Sequence, residues 1–215
     1  MKATALLSLL PFAAAVPNVT VIPLGSKDCS SWPAQIRSPG ADISRYLRIE
    51  IASPEDVGLT GLLSTTSTQN WPTVGNLSNT EDYISFDVRR STYFAKPVFR
   101  CSNGTLHMNS PDFEPISVSR DYRGAWMMLG DYADGPGYKL EPYAHEIDGV
   151  RQEGVFLGAK EKTTWGFAYE RAEVCGGLPD WYTARLMGLE IDPTANHRAW
   201  GEVQSQGFLR VFEWL

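Results

Sequence analysis

A basic excess, long apolar runs and short catalytic signatures are all missing from this chain. Its 215 residues carry 19 Lys and Arg against 25 Asp and Glu, a formal charge of −6. That balance argues against nucleic acid or an anionic membrane as a partner, since both recruit basic patches. After the first residues, no stretch approaches the ~18 consecutive apolar positions a membrane span needs. The sequence has no G-x-S-x-G elbow, H-E-x-x-H helix, P-loop, dinucleotide-binding glycine fingerprint or C-x-x-C pair. These absences remove the enzymes that such motifs betray. They leave β-sandwich glycosidases, whose carboxylates follow no short pattern. No repeat of fixed period is present, and no cofactor is expected.

Histidine and cysteine are scarce, at three each. His107, His145 and His197 would have to converge from distant positions to hold zinc, so no metal site is expected. The cysteines are Cys29, Cys101 and Cys175. In an oxidising compartment one pair is bridged and one thiol is left over. The pairing expected is Cys101–Cys175, because both lie at the ends of expected strands while Cys29 sits in a Ser/Pro/Gly-rich leader. A bridge closing a loop of about 75 residues would stabilise the fold by roughly 4 kcal/mol.

What is present begins with an address. Residues 1–15, MKATALLSLLPFAAA, have a basic Lys2, an apolar centre and an Ala-Ala-Ala end. That is the layout of a secretory signal peptide. Its removal takes away one positive charge, moving −6 to −7, and leaves about 200 residues, enough for one all-β domain. The expected organisation is a signal at 1–15, a loop-rich leader with one edge strand at 16–44, and a single β domain at 45–215. Three sequons, at Asn18, Asn76 and Asn103, fit a secreted glycoprotein.

Periodicity then fixes the fold class. Leu47, Ile49 and Ile51 alternate with Tyr46, Arg48 and Glu50; Ile84, Phe86 and Val88 alternate with Ser85, Asp87 and Arg89. Trp165, Phe167 and Tyr169 face one side of a strand, Gly166 and Ala168 the other. Trp181–Leu189 reads as the next strand, with a short helix at Tyr182–Met187 as the alternative. Asn103-Gly104 and Asp148-Gly149 are hairpin turns. Residues 67–80 read as a long polar loop and Asp131–Gly137 as a tight acidic turn. The sum is about ten short strands with little helix, an antiparallel β-sandwich or flattened barrel.

Candidates for chemistry are diffuse. A two-carboxylate hydrolase would draw on Glu50, Asp87, Glu153, Glu170 and Glu190, but nothing in their spacing selects a pair. Each suits the outward half of an alternating strand equally well. Asp131 and Asp134 lack the remaining ligands of a calcium loop. Among seven Trp, Trp32 and Trp71 each precede proline in a polar segment, which makes them the candidates for exposed contact with a glycan or protein.

The signal peptide, the strand Tyr46–Ile51, Gly124-Ala-Trp126 and the aromatic strand leading to Val174-Cys175 together resemble a family of small fungal secreted proteins known only as a domain of unknown function. The resemblance spans most of 45–190. It implies a β-rich extracellular fold and supplies no catalytic residues. The expected function is a non-enzymatic extracellular protein, free or wall-associated, that binds glycan or protein at a cell or host surface; a polysaccharide hydrolase is the alternative.

Overall fold

The computed structural model describes residues 18–25, 27–33, 47–54, 56–72, 78–88, 99–108, 115–119, 127–129, 137–171, 180–189 and 202–213. The expected signal at 1–15, Asn76, Asp131, Asp134, Cys175, Glu190 and His197 lie outside them. Among the described residues there is no helix. Fifteen strands run in chain order: β1 (Val19–Pro23), β2 (Leu47–Ala52), β3 (Ser64–Pro72), β4 (Ser78–Asp87), β5 (Phe99–Ser102), β6 (Thr105–Met108), β7 (Ile116–Val118) and β8 (Met127–Leu129) in the first part. They continue as β9 (Tyr138–Lys139), β10 (Glu141–Ile147), β11 (Val150–Arg151), β12 (Val155–Gly158), β13 (Trp165–Glu170), β14 (Trp181–Leu186) and β15 (Ser205–Glu213).

Strand pairing is antiparallel throughout, as expected, and the path β1-β10-β12-β15-β13-β14-β4-β8-β7-β9 does not close into a barrel. The strand count exceeds the expected ten because several strands are only two or three residues long. The region read as a polar loop is instead most of a long hairpin, with β3 paired to β4 from Ser64↔Phe86 to Pro72↔Ser78. Its Ser and Thr residues suit an edge strand without apolar alternation, which hid it. The turn residues 73–77 lie outside the described set.

Strand β15 is where the two halves of the sheet meet. Its first residues pair with β13, Trp165↔Gly207 through Phe167↔Ser205. Its later residues lie between β2, from Phe208↔Ala52 to Glu213↔Leu47, and β12, at Val155↔Val211 and Phe156↔Arg210. One core gathers side chains from both halves: Leu47, Ile49, Ile51, Leu157, Leu209 and Val211 from one, Ile84, Phe86, Trp165, Phe167 and Ala184 from the other. Phe86 and Phe167 meet edge to face at 6.2 Å across the small Ala184. Trp165 donates its indole N–H to the Leu157 carbonyl at 2.9 Å, so its burial leaves no polar atom stranded.

The alternation read for β13 is as expected. Trp165 and Phe167 face the core, and on the opposite side Gly166 lets Val203 and Met187 approach to where a Cβ would collide. The hairpin turns also follow their sequence signal, with φ of 51° and 71° at Asn103-Gly104 and 52° and 76° at Asp148-Gly149.

Two expectations fail at the leader. The bridge joins Cys29 to Cys101, not Cys101 to Cys175. Trp32, proposed as an exposed contact, is only 3 % exposed and belongs to the core. Both failures have one cause. The polar run of Ser, Pro and Gly around residues 29–33 is a short turn, Trp32 N–H bonding the Cys29 carbonyl at 3.2 Å, that drops Trp32 inward and sets Cys29 beside β5. Trp71 is a β3 residue opposite Asn79 rather than a loop residue.

A non-reducing peptide map is expected to link the Cys29 and Cys101 peptides. Cys29→Ser should lower unfolding free energy by about 4 kcal/mol, the loop-closure value for a separation of 72 residues. Recovery of a Cys101–Cys175 peptide would contradict this pairing.

Candidate functional site

Cross-strand register places one row of unlike residues on the side of the sheet away from the core. Tyr143 of β10 is opposite Phe156 of β12, Phe156 is opposite Arg210 of β15, and Arg210 is opposite Glu50 of β2. Directly opposed residues share a face. The alternate residues Ile49, Leu157, Leu209 and Val211 point into the core, so this row points out. Period two adds Glu141, His145 and Ile147 from β10 and Phe208 from β15 to the same side.

This outer side is nonetheless partly covered. Tyr143 and His145 are each 1 % exposed, and Phe156 and Phe208 are each 5 % exposed. The cover includes residues 159–164, the link between β12 and β13, which folds back over β10 and touches it at three successive outward side chains. Lys160 N–H points to the Glu141 carboxylate at 3.3 Å, Glu161 N–H donates to the Tyr143 hydroxyl at 2.9 Å, and the Thr163 hydroxyl meets His145 Nε2 at 2.9 Å.

The link is tight. Ala159 and Lys162 exchange both backbone hydrogen bonds at 3.0 Å, with Lys160 at φ 52° and Glu161 at φ 61°. Two consecutive left-handed residues define a type I′ turn, normally built from Asn and Gly. Side chains in that region cost on the order of 1 kcal/mol each. Glu141 and Tyr143 offset this by capturing the turn amides, and Tyr143 in turn donates to Glu141 at 2.6 Å. Burial, then the Glu141 hydrogen bond, push the Tyr143 phenol well above its ordinary range. Gly158 at the entrance is required, because a Cβ there would collide with the Lys162 carbonyl.

Two clefts open on this side of the sheet, the first of them bordering the link. One, of about 400 Å³, is lined by Pro23, Gly25, Glu141, Tyr143, Lys160 and Glu161. The other, of about 320 Å³, has His145, Phe156 and Phe208 at its base with Gln152, Glu153 and Arg210 around it. In the second, the His145 ring stacks on Phe156 with centroids 3.9 Å apart and planes 7° from parallel, while Phe208 meets His145 edge-on at 4.7 Å. Arg210 is held by Glu50, with Nε at 2.7 Å from the carboxylate and Nη2 on the same oxygen. The guanidinium keeps 41 % of its side chain in solvent, against 13 % for Glu50.

Of the residues singled out in the sequence, the structure brings His145, Glu153 and Glu50 to this second cleft or its border. His145 is a buried ring satisfied by Thr163, and desolvation lowers its pKa to about 4, so it is neutral at pH 7. Glu50 is committed to Arg210, and Glu153 is exposed at the rim. His107 lies on β6 opposite Arg100, and Glu170 ends β13 opposite Trp181, beyond the residues that pair with β15; neither lines either cleft. Asp87 closes β4 opposite Trp181. Among the described residues, no group of three His, Cys, Asp or Glu could hold a metal ion. The exposed Asn18 precedes β1 and the exposed Asn103 tips the β5–β6 hairpin. Sequence reading missed Glu141, Tyr143, Gln152 and Arg210. Register across the strands places Glu141, Tyr143 and Arg210 on one side, and the lining of the second cleft brings Gln152 beside Arg210.

No family model matches the chain, and no curated protein matches it.

His145 makes stability depend on pH. Unfolded, it binds a proton near pH 6.5; folded, near 4. Between those values the unfolded chain carries the extra proton, so stability falls as pH drops through that window and the contribution is lost below about 4. The full loss is on the order of 3 kcal/mol. Urea unfolding at neutral pH and at about pH 4.5 should show this slope in the native chain and a flatter one in His145→Gln; equal slopes would refute the assignment. Tyr143→Phe, which removes the phenol's bonds to the Glu161 amide and to Glu141, should cost about 1–3 kcal/mol in the same assay.

Proposed function

We propose that this chain is a secreted, N-glycosylated binding protein without catalytic action of its own, working outside the cell or at its wall. The observation that carries this reading is the Cys29–Cys101 bridge, which fixes the leader to the core and suits an oxidising compartment. The exposed sequons Asn18 and Asn103 and the apolar start of the sequence agree with it. So does the pattern resemblance to small fungal secreted proteins. The binding surface in this reading is the outer side of β10, β12 and β15, where two clefts combine apolar bases with polar rims. Such combinations favour ligands that are themselves amphipathic. A glycan or an extracellular protein is the partner; no nucleic acid and no cofactor enters the reading.

One observation favours a second reading. Glu141 and Glu161 line the same cleft beside Tyr143. Two carboxyl groups across a cleft are the equipment of a polysaccharide hydrolase.

Expression of the full chain in a eukaryotic secretory host, followed by incubation with cell-wall polysaccharides, separates the readings. The binding reading expects protein in the medium, starting after Ala15, glycosylated at Asn18 and Asn103, and retained on polysaccharide with no reducing ends released. Reducing ends released by the native chain and abolished in Glu141→Gln or Glu161→Gln would overturn it in favour of hydrolysis. Intracellular retention with unmodified sequons would overturn secretion itself.

A further inference from the structure

We propose that the cleft of about 320 Å³ between β10, β12 and β15 is a site for one neutral pyranose ring, seated against Phe156 and Phe208 and held at its hydroxyls by Gln152, Glu153 and Arg210. The inference rests on the reading of the chain as a binding protein and names its ligand class.

A pyranose has C–H faces and a perimeter of hydroxyls that each donate and accept. A complementary site needs an apolar base and a rim of planar groups carrying both donors and acceptors. The cleft has this division. Pro54, Ala52 and Ile147 supply most of the apolar surface, and Phe156 and Phe208, each 5 % exposed, form the floor. Phe156 and Phe208 meet at 80° with centroids 6.1 Å apart, which makes a notch rather than a flat platform. The His145 ring, fixed by Thr163, packs on both Phe rings and holds them in place. The rim carries an amide, a carboxylate and a guanidinium, the three planar side chains able to engage neighbouring hydroxyls in pairs.

Charge selects a neutral ring. Glu153 and Arg210 are the charged residues of the lining, one of each sign. Arg210 is already paired with Glu50, which fixes its direction and leaves the Glu153 charge as the excess. An acidic sugar would therefore meet Glu153 without a free-standing cation in compensation. The hydroxyls of Ser53 and Thr60 are turned inward, to the Gln206 and Ser53 carbonyls at 2.9 and 2.8 Å, and so serve the wall of the cleft. Its volume lies at the lower end for small-molecule sites, which suits a single ring in preference to an extended chain.

The test is NMR titration of the full chain with glucose, mannose, galactose, N-acetylglucosamine and glucuronate. At least one neutral sugar should saturate with a Kd on the order of 1 mM, ordinary for a ligand of about twelve heavy atoms. Gln152→Ala and Glu153→Ala should each weaken it about tenfold with an unchanged melting midpoint, both side chains lying at the rim. The proposal is overturned by no saturation with any neutral sugar up to about 100 mM, by affinity unchanged in both variants, or by a preference for glucuronate. Retention on wall polysaccharide without monosaccharide binding sinks this site and spares the binding reading. Loss of retention as well takes both down.

Discussion

The structure depends on β15 keeping two sets of partners. Its first residues extend the ladder of β13, and from Phe208 onward it lies between β2 and β12. A strand so placed must be apolar on the core side and must still serve the outer one. Leu209 and Val211 meet the first demand, while Phe208 and Arg210 meet the second. Without this strand the core would lose the partners that bring Ile49 and Ile51 alongside Leu157, and the outer row would lose its middle.

That outer row is a second layer with different rules. The core is aliphatic and aromatic; the Trp165 indole N–H is bonded to the Leu157 carbonyl, while the buried Trp32 indole N–H has no partner among the described residues. The outer side mixes Tyr, His, Phe, Arg and Glu, and each polar member has a fixed partner: Tyr143 with Glu141, His145 with Thr163, Arg210 with Glu50. Fixed partners hold side chains in single positions, which is what a recognition surface requires of its base. The turn at Lys160-Glu161 carries backbone strain at the same place. Strain of this kind persists only where its surroundings over-determine it, and here Glu141 and Tyr143 do so.

What could be read in the sequence was whatever local chemistry decides. Trp165 and Phe167 announce a strand by alternation, and Asn103-Gly104 and Asp148-Gly149 announce turns because they accept positive φ cheaply. The Lys160-Glu161 turn gave no such sign, since side chains eighteen or nineteen residues away hold it. The β3–β4 hairpin was obscured by Ser and Thr that fit strand and loop alike. The disulfide and Trp32 were misread for a related reason: polar neighbours describe the path of a segment, not what it drops into the core. The candidate cleft was the least legible, because it exists only through the register Tyr143–Phe156–Arg210–Glu50 across four strands. Glu50 and Glu153 were noticed as carboxylates, but no spacing along the chain shows that Arg210 lies between β2 and the cleft.

The place of β15 in the chain order gives the molecule a direction in time. Among the described strands β15 comes last in chain order, so translation delivers it after every strand it joins. Cys29 and Cys101 both emerge in the first half, so their bond can close while the sheets still await a common member. A chain that has formed its other strands but not yet added β15 therefore carries a tied leader and two unfinished ladders with open edges. Joining the two ladders is a single event, and a chain lacking β15 would present those edges to its neighbours instead.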